Sequence, residues 1–150
     1  MDTVFEGDIR YRQYLSAQGT ATTELPDWAK DPEWLTLCYR NMVLARALDN
    51  KAIALQRTGQ LGTYASLLGS EAIDVPAGLL MRPEDVLIPY YRNHASQMLR
   101  GMPMEEVLLY WGGDERGNAS AQQGQDFPNC VPIATQSMHA CGVATAIKMR

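Results

Sequence analysis

Apolar residues between positions 35 and 55 recur at threes and fours: Leu35, Cys38, Met42, Ala45, Leu48, Ala52 and Leu55. That spacing places them on one stripe of a long helix. Asp31 stands as its N-cap, Pro32 occupies the first helical position, where a missing N–H costs nothing, and Glu33 faces the positive end. Gly59 closes the run. After a glycine-bracketed loop at 60–66, a second helix is predicted from about Gly69 to Met81. Pro76 falls inside it and removes a backbone hydrogen bond, which demands a kink or a later start. Residues 82–85 read as a turn and 85–89 as a short buried strand ended by Pro89. A helical pattern from His94 to Leu99 stops at Gly101. Pro103 then opens a further helix through Met104, Val107, Leu108 and Trp111, which Gly112 and Gly113 terminate. From 114 to 129 the composition is that of a loop, long enough to be functional or mobile. The last predicted helix, from Ile133 to Arg150, holds Ala140, Gly142, Ala144 and Ala146, which permit close approach of a neighbour.

Residues 1–30 show no sustained period, and the polar stretch 18–23 reads as a linker, so an extended arm is expected there. The organisation expected is an arm over 1–30 and one domain over 31–150. Only one convincing strand lies among the helices, and a parallel sheet requires more. The fold class is therefore α/β, a helix-rich opening portion whose parallel sheet is incomplete within these residues.

Composition narrows the function classes. The 150 residues are 46% hydrophobic and 20% charged, with a net charge of −4 and no basic run. A nucleic-acid backbone would find no electrostatic footprint. No stretch approaches the roughly eighteen apolar residues of a membrane span. The acidic start lacks the features of a secretory or transit peptide, so a cytoplasmic protein is expected. Three cysteines, Cys38, Cys130 and Cys141, include no CxxC spacing and suggest neither a disulfide framework nor a zinc site. Cys38 and Cys141 are read as buried thiols.

Chemistry concentrates at 88–94, Ile-Pro-Tyr-Tyr-Arg-Asn-His, where an apolar run delivers two phenols, a guanidinium, an amide and an imidazole. The planar donor fork of arginine suits phosphate or carboxylate, and a tyrosine hydroxyl adds a donor beside it. Anion binding at a strand end is the reading. A surface packing pair is the alternative.

Several segments in order extend this reading. Residues 39–49 (YRNMVLARALD), 56–62 (QRTGQLG), 69–72 (GSEA), 89–92 (PYYR) and 133–136 (IATQ), followed by Gly142 and Lys148, resemble the alpha subunit of the thiamine-diphosphate-dependent 2-oxo acid dehydrogenase component. The resemblance covers about residues 30–150. It implies oxidative decarboxylation of pyruvate, or of a branched-chain 2-oxo acid, with acyl transfer to a lipoyl group. The implied cofactors are thiamine diphosphate and Mg2+. The implied partners are a beta subunit, in an alpha2-beta2 heterotetramer, and a lipoyl-bearing acyltransferase.

Carried over position by position, the resemblance puts the cofactor diphosphate on Tyr91 and Arg92 and its aminopyrimidine ring on the main chain of Val131 and Ile133. Thr63 and Tyr64 become the substrate contacts. A monovalent-cation site matches Cys130, Pro132, Thr135 and Gln136, although Cys130 stands where an oxygen ligand is usual and a thiol poorly suits a hard cation. Family members commonly hold a histidine in the long loop where Arg116 stands. A guanidinium can stabilise an oxyanion there but cannot shuttle protons near neutrality. Arg116 and His94 are left as candidates for a catalytic role, and His139 reads as a polar residue on a helix packing face. The magnesium motif of the family is expected beyond Arg150, so no magnesium ligand is assigned and this stretch alone should not catalyse. The alternative is a non-catalytic helical adaptor that keeps the subunit-contact helices.

Overall fold

In the computed structural model, residues 6–119 and 124–150 are described, and the acidic start and part of the 114–129 loop lie outside them. The chain divides into two compact units between Thr36 and Leu37. In the first, the stretch read as a linker is a tight turn: Leu15 and Ala21 form an antiparallel bridge, and the Ser16 hydroxyl accepts from the Thr20 N–H at 3.2 Å. A short 3-10 turn, Asp27–Lys30, follows. Asp31 caps the first helix as expected, its carboxylate accepting from the N–H groups of Glu33 at 2.9 Å and Trp34 at 3.2 Å.

That helix, α1, runs Pro32–Arg57, and Gly59 beyond it adopts a φ of +74°, open to glycine without strain. Within the second unit it buries Cys38, Ala45, Leu48, Asp49 and Ala52. Burial raises the pKa of the Cys38 thiol, so it stays protonated. Four more helices follow among the described residues: α2 Glu71–Leu80, α3 His94–Leu99, α4 Met104–Trp111 and α5 Thr135–Met149. Helix α2 starts later than predicted, yet it still contains Pro76.

The core joins Leu48 and Ala52 of α1 to Leu61 and Tyr64 of the following loop, Met102, and Val107 and Trp111 of α4. Helices α2 and α3 pack so closely that a Cβ on Gly78 would meet Leu99 Cδ1 and Ser96 Cα at 3.0 Å each. A methyl group there would have to push a neighbour aside. Two carboxylates with buried side chains pair with arginines: Glu71 with the exposed Arg46, and Asp126 with Arg100.

The expected strand at 85–89 is corrected. The segment is extended, but no strand forms among the described residues, and pairing is reduced to one parallel bridge between Tyr90 and Cys130. The reason lies in the neighbouring bonds. Phe127 N–H reaches the Leu87 carbonyl at 2.9 Å, while the Leu87 N–H bonds the Asp126 side chain at 2.7 Å rather than a main-chain carbonyl. A ladder interrupted by a carboxylate cannot extend.

Helix α5 corrects one further expectation, the burial of Cys141. None of its residues is buried. Its apolar side chains are scattered around the axis, so no stripe exists for the second unit to cover, and Cys141 is an exposed thiol. His139 is also exposed, and its ring lies 5.3 Å from that of Phe127 between centres. Among the described residues no helix is long and apolar enough to cross a membrane.

Candidate functional site

Two buried aspartates position the Tyr-Arg turn. Asp49, on the apolar stripe of α1, accepts from the Tyr64 hydroxyl at 3.0 Å, the Ser66 hydroxyl at 2.8 Å and the Leu67 N–H at 2.8 Å. This fixes the loop between α1 and α2, whose Ser66 carbonyl then accepts from Arg92 Nη1. Asp74 of α2 accepts from Asn93 Nδ2 at 2.7 Å and the Ser96 N–H at 3.0 Å. Asn93 in turn accepts from the Tyr90 N–H at 2.9 Å, so the turn bearing Tyr91 and Arg92 is held from behind by a carboxylate–amide relay. Buried carboxylates with satisfied oxygens rigidify what they touch.

Tyr91 and Arg92 are half-buried, with the guanidinium carbon 5.1 Å from the centre of the Tyr91 ring, a cation–π distance. Among the described residues Arg92 has no carboxylate partner, whereas the other half-buried arginine, Arg100, is neutralised by Asp126. A charged fork held by one carbonyl and one aromatic face retains donors for an anion.

The Tyr90–Cys130 bridge brings this turn beside the second predicted segment. Val131 and Ile133 follow the bridge directly and lie at the surface, 45% and 80% exposed. Gln136 Nε2 staples the two segments, donating to the Cys130 carbonyl at 2.8 Å and the Pro89 carbonyl at 3.3 Å. Between them Ala134 takes a φ of +70°, the left-handed region that costs a residue with a Cβ about 1–2 kcal/mol. Cys130, Val131 and Pro132 line a cavity of about 450 Å3 with Tyr110, Glu115 and Asn118. Tyr110 is kept protonated there, its pKa raised by burial and then by Cys130 and Glu115.

The remaining candidates are placed as follows. Of the proposed cation ligands, the Cys130 carbonyl is already engaged by Gln136, and the Pro132 carbonyl accepts from the Thr135 N–H at 3.4 Å. Thr63 is exposed and lines a separate cavity of about 340 Å3 with Tyr110 and Trp111. Tyr64, its neighbour, is buried with its hydroxyl committed to Asp49. Burial first, and Asp49 second, push its pKa well above the usual phenol range. Arg116 is exposed and chelates its own neighbour, Nε lying 2.9 and 3.0 Å from the two Asp114 oxygens. The Arg116 hydrogen bonds hold the Asp114 carboxyl down at about 2, and Asp114 raises the Arg116 pKa reciprocally.

His94 is fully buried, ring against ring with Tyr64 at 5.7 Å and Trp111 at 5.8 Å. Desolvation lowers its pKa, while Gln97, the Ala65 main chain, Asp74 and Asp49 partly oppose the shift. Gln97 and Ala65 approach the ring without completing a well-formed hydrogen bond to either nitrogen. A neutral, buried imidazole is a packing and polar-network element here.

Asp49, Asp74 and Ser66 escaped the sequence reading, and Asn93 entered it only as an amide in the 88–94 cluster. Two of them left a signal: Asp49 stands in register with Ala45, Leu48 and Ala52, and Asp74 with Val75 and Gly78. A carboxylate on an apolar stripe is buried only when it has partners.

Comparison with known proteins identifies the family. A family model described as the dehydrogenase E1 component matches residues 39–150. The pyruvate dehydrogenase E1 component subunit alpha of Acholeplasma laidlawii is 38% identical over 118 residues, covering 79% of this chain and 34% of the relative. The 3-methyl-2-oxobutanoate dehydrogenase subunit alpha of Mycobacterium tuberculosis is 36% identical over 143 residues, 93% of this chain and 38% of the relative. The pyruvate dehydrogenase E1 component subunit alpha of Bacillus subtilis is 31% identical over 140 residues, 92% of this chain and 37% of the relative. The chain thus spans between a third and two fifths of the length of these curated relatives. Matched by the family model over most of its residues, the chain belongs to the dehydrogenase E1 component family.

Proposed function

We propose that these residues build the diphosphate-gripping part of a thiamine-diphosphate site in the alpha subunit of a 2-oxo acid dehydrogenase. The observation that supports this most is the single Tyr90–Cys130 bridge, which sets the Tyr91–Arg92 turn beside residues 131–133. We read that bridge as the start of the parallel sheet of an α/β cofactor-binding domain over 31–150, with 1–30 as its arm. Pyruvate is the first substrate choice and a branched-chain 2-oxo acid the second, matching the two kinds of relative.

The residues present suit the cofactor. Arg92 offers an anion a half-buried guanidinium without a carboxylate among the described residues, held in place by Ser66 and Tyr91. The main chain of Val131 and Ile133, beside a cavity of about 450 Å3, is the matching place for a ring. When bound, thiamine diphosphate supplies an electron sink for the carbanion left by decarboxylation. The work of this chain is to bind and orient. Asp49 acts through Ser66, and Asp74 through Asn93, to hold the arginine turn before ligand arrives, which lowers the ordering cost of binding. No magnesium ligand is assigned, and among the described residues no three His, Cys, Asp or Glu side chains gather as a metal site. A beta subunit, in an alpha2-beta2 assembly, and a lipoyl-bearing acyltransferase complete the proposed reaction.

Thiamine diphosphate titration of the full-length protein with its beta partner tests the reading. Arg92→Ala should weaken binding by about 2 kcal/mol, roughly thirtyfold, the loss expected for a charged hydrogen-bond partner. An unchanged dissociation constant removes Arg92 from the site. An assembly that binds no thiamine diphosphate, and decarboxylates neither pyruvate nor 3-methyl-2-oxobutanoate, overturns the function itself.

A further inference from the structure

Behind the Tyr-Arg turn, four buried side chains that carry unmet polar atoms line one cavity. The two ring nitrogens of His94, Gln97 Nε2, Trp111 Nε1 and Asn129 Oδ1 are buried and bond no protein group among the described residues. All four residues are more than nine-tenths buried: His94 is 0%, Gln97 2%, Trp111 8% and Asn129 8% exposed. All four line a single cavity of about 10 Å3. A buried polar atom left unmet carries the full penalty of its lost hydration, so four residues with such atoms around one space form a site rather than four accidents.

Both the size and the chemistry select the occupant. On this measure one water needs roughly 10–15 Å3, which leaves no room for an organic ligand. The Trp111 indole N–H and the Gln97 amide N–H are donors, the Asn129 oxygen is an acceptor, and a neutral imidazole presents one of each. A chloride ion would face the Asn129 oxygen, and a metal or ammonium cation would face the indole N–H. Only a molecule that both donates and accepts satisfies the set. We propose that this cavity is a binding site for one internal water molecule, which accepts from Trp111 Nε1 and Gln97 Nε2 and donates to Asn129 Oδ1 and a ring nitrogen of His94.

The site joins three parts of the chain. His94 and Gln97 belong to α3, Trp111 to α4, and Asn129 to the segment just before the Tyr90–Cys130 bridge. Asn129 is held there by its own main chain, whose N–H donates to Asn118 Oδ1 at 2.6 Å and whose carbonyl accepts from Asn118 Nδ2 at 3.1 Å. Its side-chain oxygen, buried without a partner, is left to serve the cavity. The water also fixes which nitrogen of His94 bears the proton, because only the unprotonated nitrogen can accept from it.

High-resolution diffraction from crystals of the full-length protein, in the assembly it forms, tests the site directly. The expected result is one oxygen-sized peak at hydrogen-bond distance from at least three of the four side chains. A cavity without density, a direct Trp111–Asn129 hydrogen bond, or an anomalous peak marking chloride or a metal ion overturns the proposal. In solution, water oxygen-17 relaxation dispersion counts long-lived internal waters. Trp111→Phe, which removes a donor, and Asn129→Leu, which fills the space, should each lower the count by one. An unchanged count in a folded variant overturns the proposal. If neither variant folds, the wild-type density decides.

Discussion

Helices α3 and α5 leave the same parallel bridge from its two sides, and they are treated in opposite ways. Of the six residues of α3, His94, Ala95, Ser96 and Gln97 are buried, whereas α5 buries none of its fifteen. The Tyr-Arg side of the proposed site is thus anchored by this chain's own carboxylates and core. The 131–133 side is tied down by Gln136 and otherwise lies on the surface. A binding site can be rigid on one wall and surface-borne on the other, and each wall should respond differently to mutation.

The largest effect should come from cutting the anchor. Asp49→Ala strands the Tyr64 and Ser66 hydroxyls and the Leu67 N–H, so a loss of about 3 kcal/mol or more is expected in denaturant unfolding. A loss under about 1 kcal/mol would erase the contrast between the two walls. Next, Gly78→Ala drives a methyl group into Leu99 and Ser96 across the α2–α3 contact and should cost about 1–3 kcal/mol. The same substitution at Gly142 of α5, whose Cβ would meet nothing within 4 Å, should stabilise by about 1 kcal/mol through helix propensity.

The pH response of the anchored wall has a definite sign. Burial lowers the pKa of His94 in the folded state below its ordinary value of 6.5, so below that value the unfolded chain takes up the proton more readily. Its contribution is complete above about pH 6.5 and is lost as pH falls, with a slope of up to about 1.4 kcal/mol per unit. Melting curves between pH 7.5 and 5.5 should show this slope, and His94→Phe should flatten it. On the other wall, Ala134→Gly relieves a left-handed alanine and should gain about 1 kcal/mol. The smallest effect is expected for Met138→Lys, 76% exposed on α5, within about 0.5 kcal/mol. A larger loss would show that a partner covers the helix.

The helices were legible in the sequence because their signals are local: the Asp31 cap, the apolar stripe of α1, the stops at Gly59, Gly101 and Gly113. The juxtaposition of Tyr91–Arg92 with 131–133 was expected only through family resemblance, since a bridge across forty residues leaves no periodic trace. The strand at 85–89 was misread because its apolar run reports burial, not pairing, and Asp126 occupies the place of a ladder bond. Cys141 was misread because a thiol's usual burial presumes a stripe, and α5 has none. Asp49 and Asp74 left a register signal that apolar periodicity alone passes over, whereas the left-handed Ala134 left none, since a residue with a Cβ is not expected there.

The Gln136 staple has a consequence for how such chains can diverge. Asp126, Phe127, Asn129, Cys130 and Gln136 each meet a fixed point elsewhere, and Gln136 grips the carbonyls of Pro89 and Cys130 at once. Adding or deleting one residue between Asp126 and Gln136 would throw all later attachments out of phase together. Insertions and deletions should therefore be purged from this stretch across descendants while single substitutions persist in it.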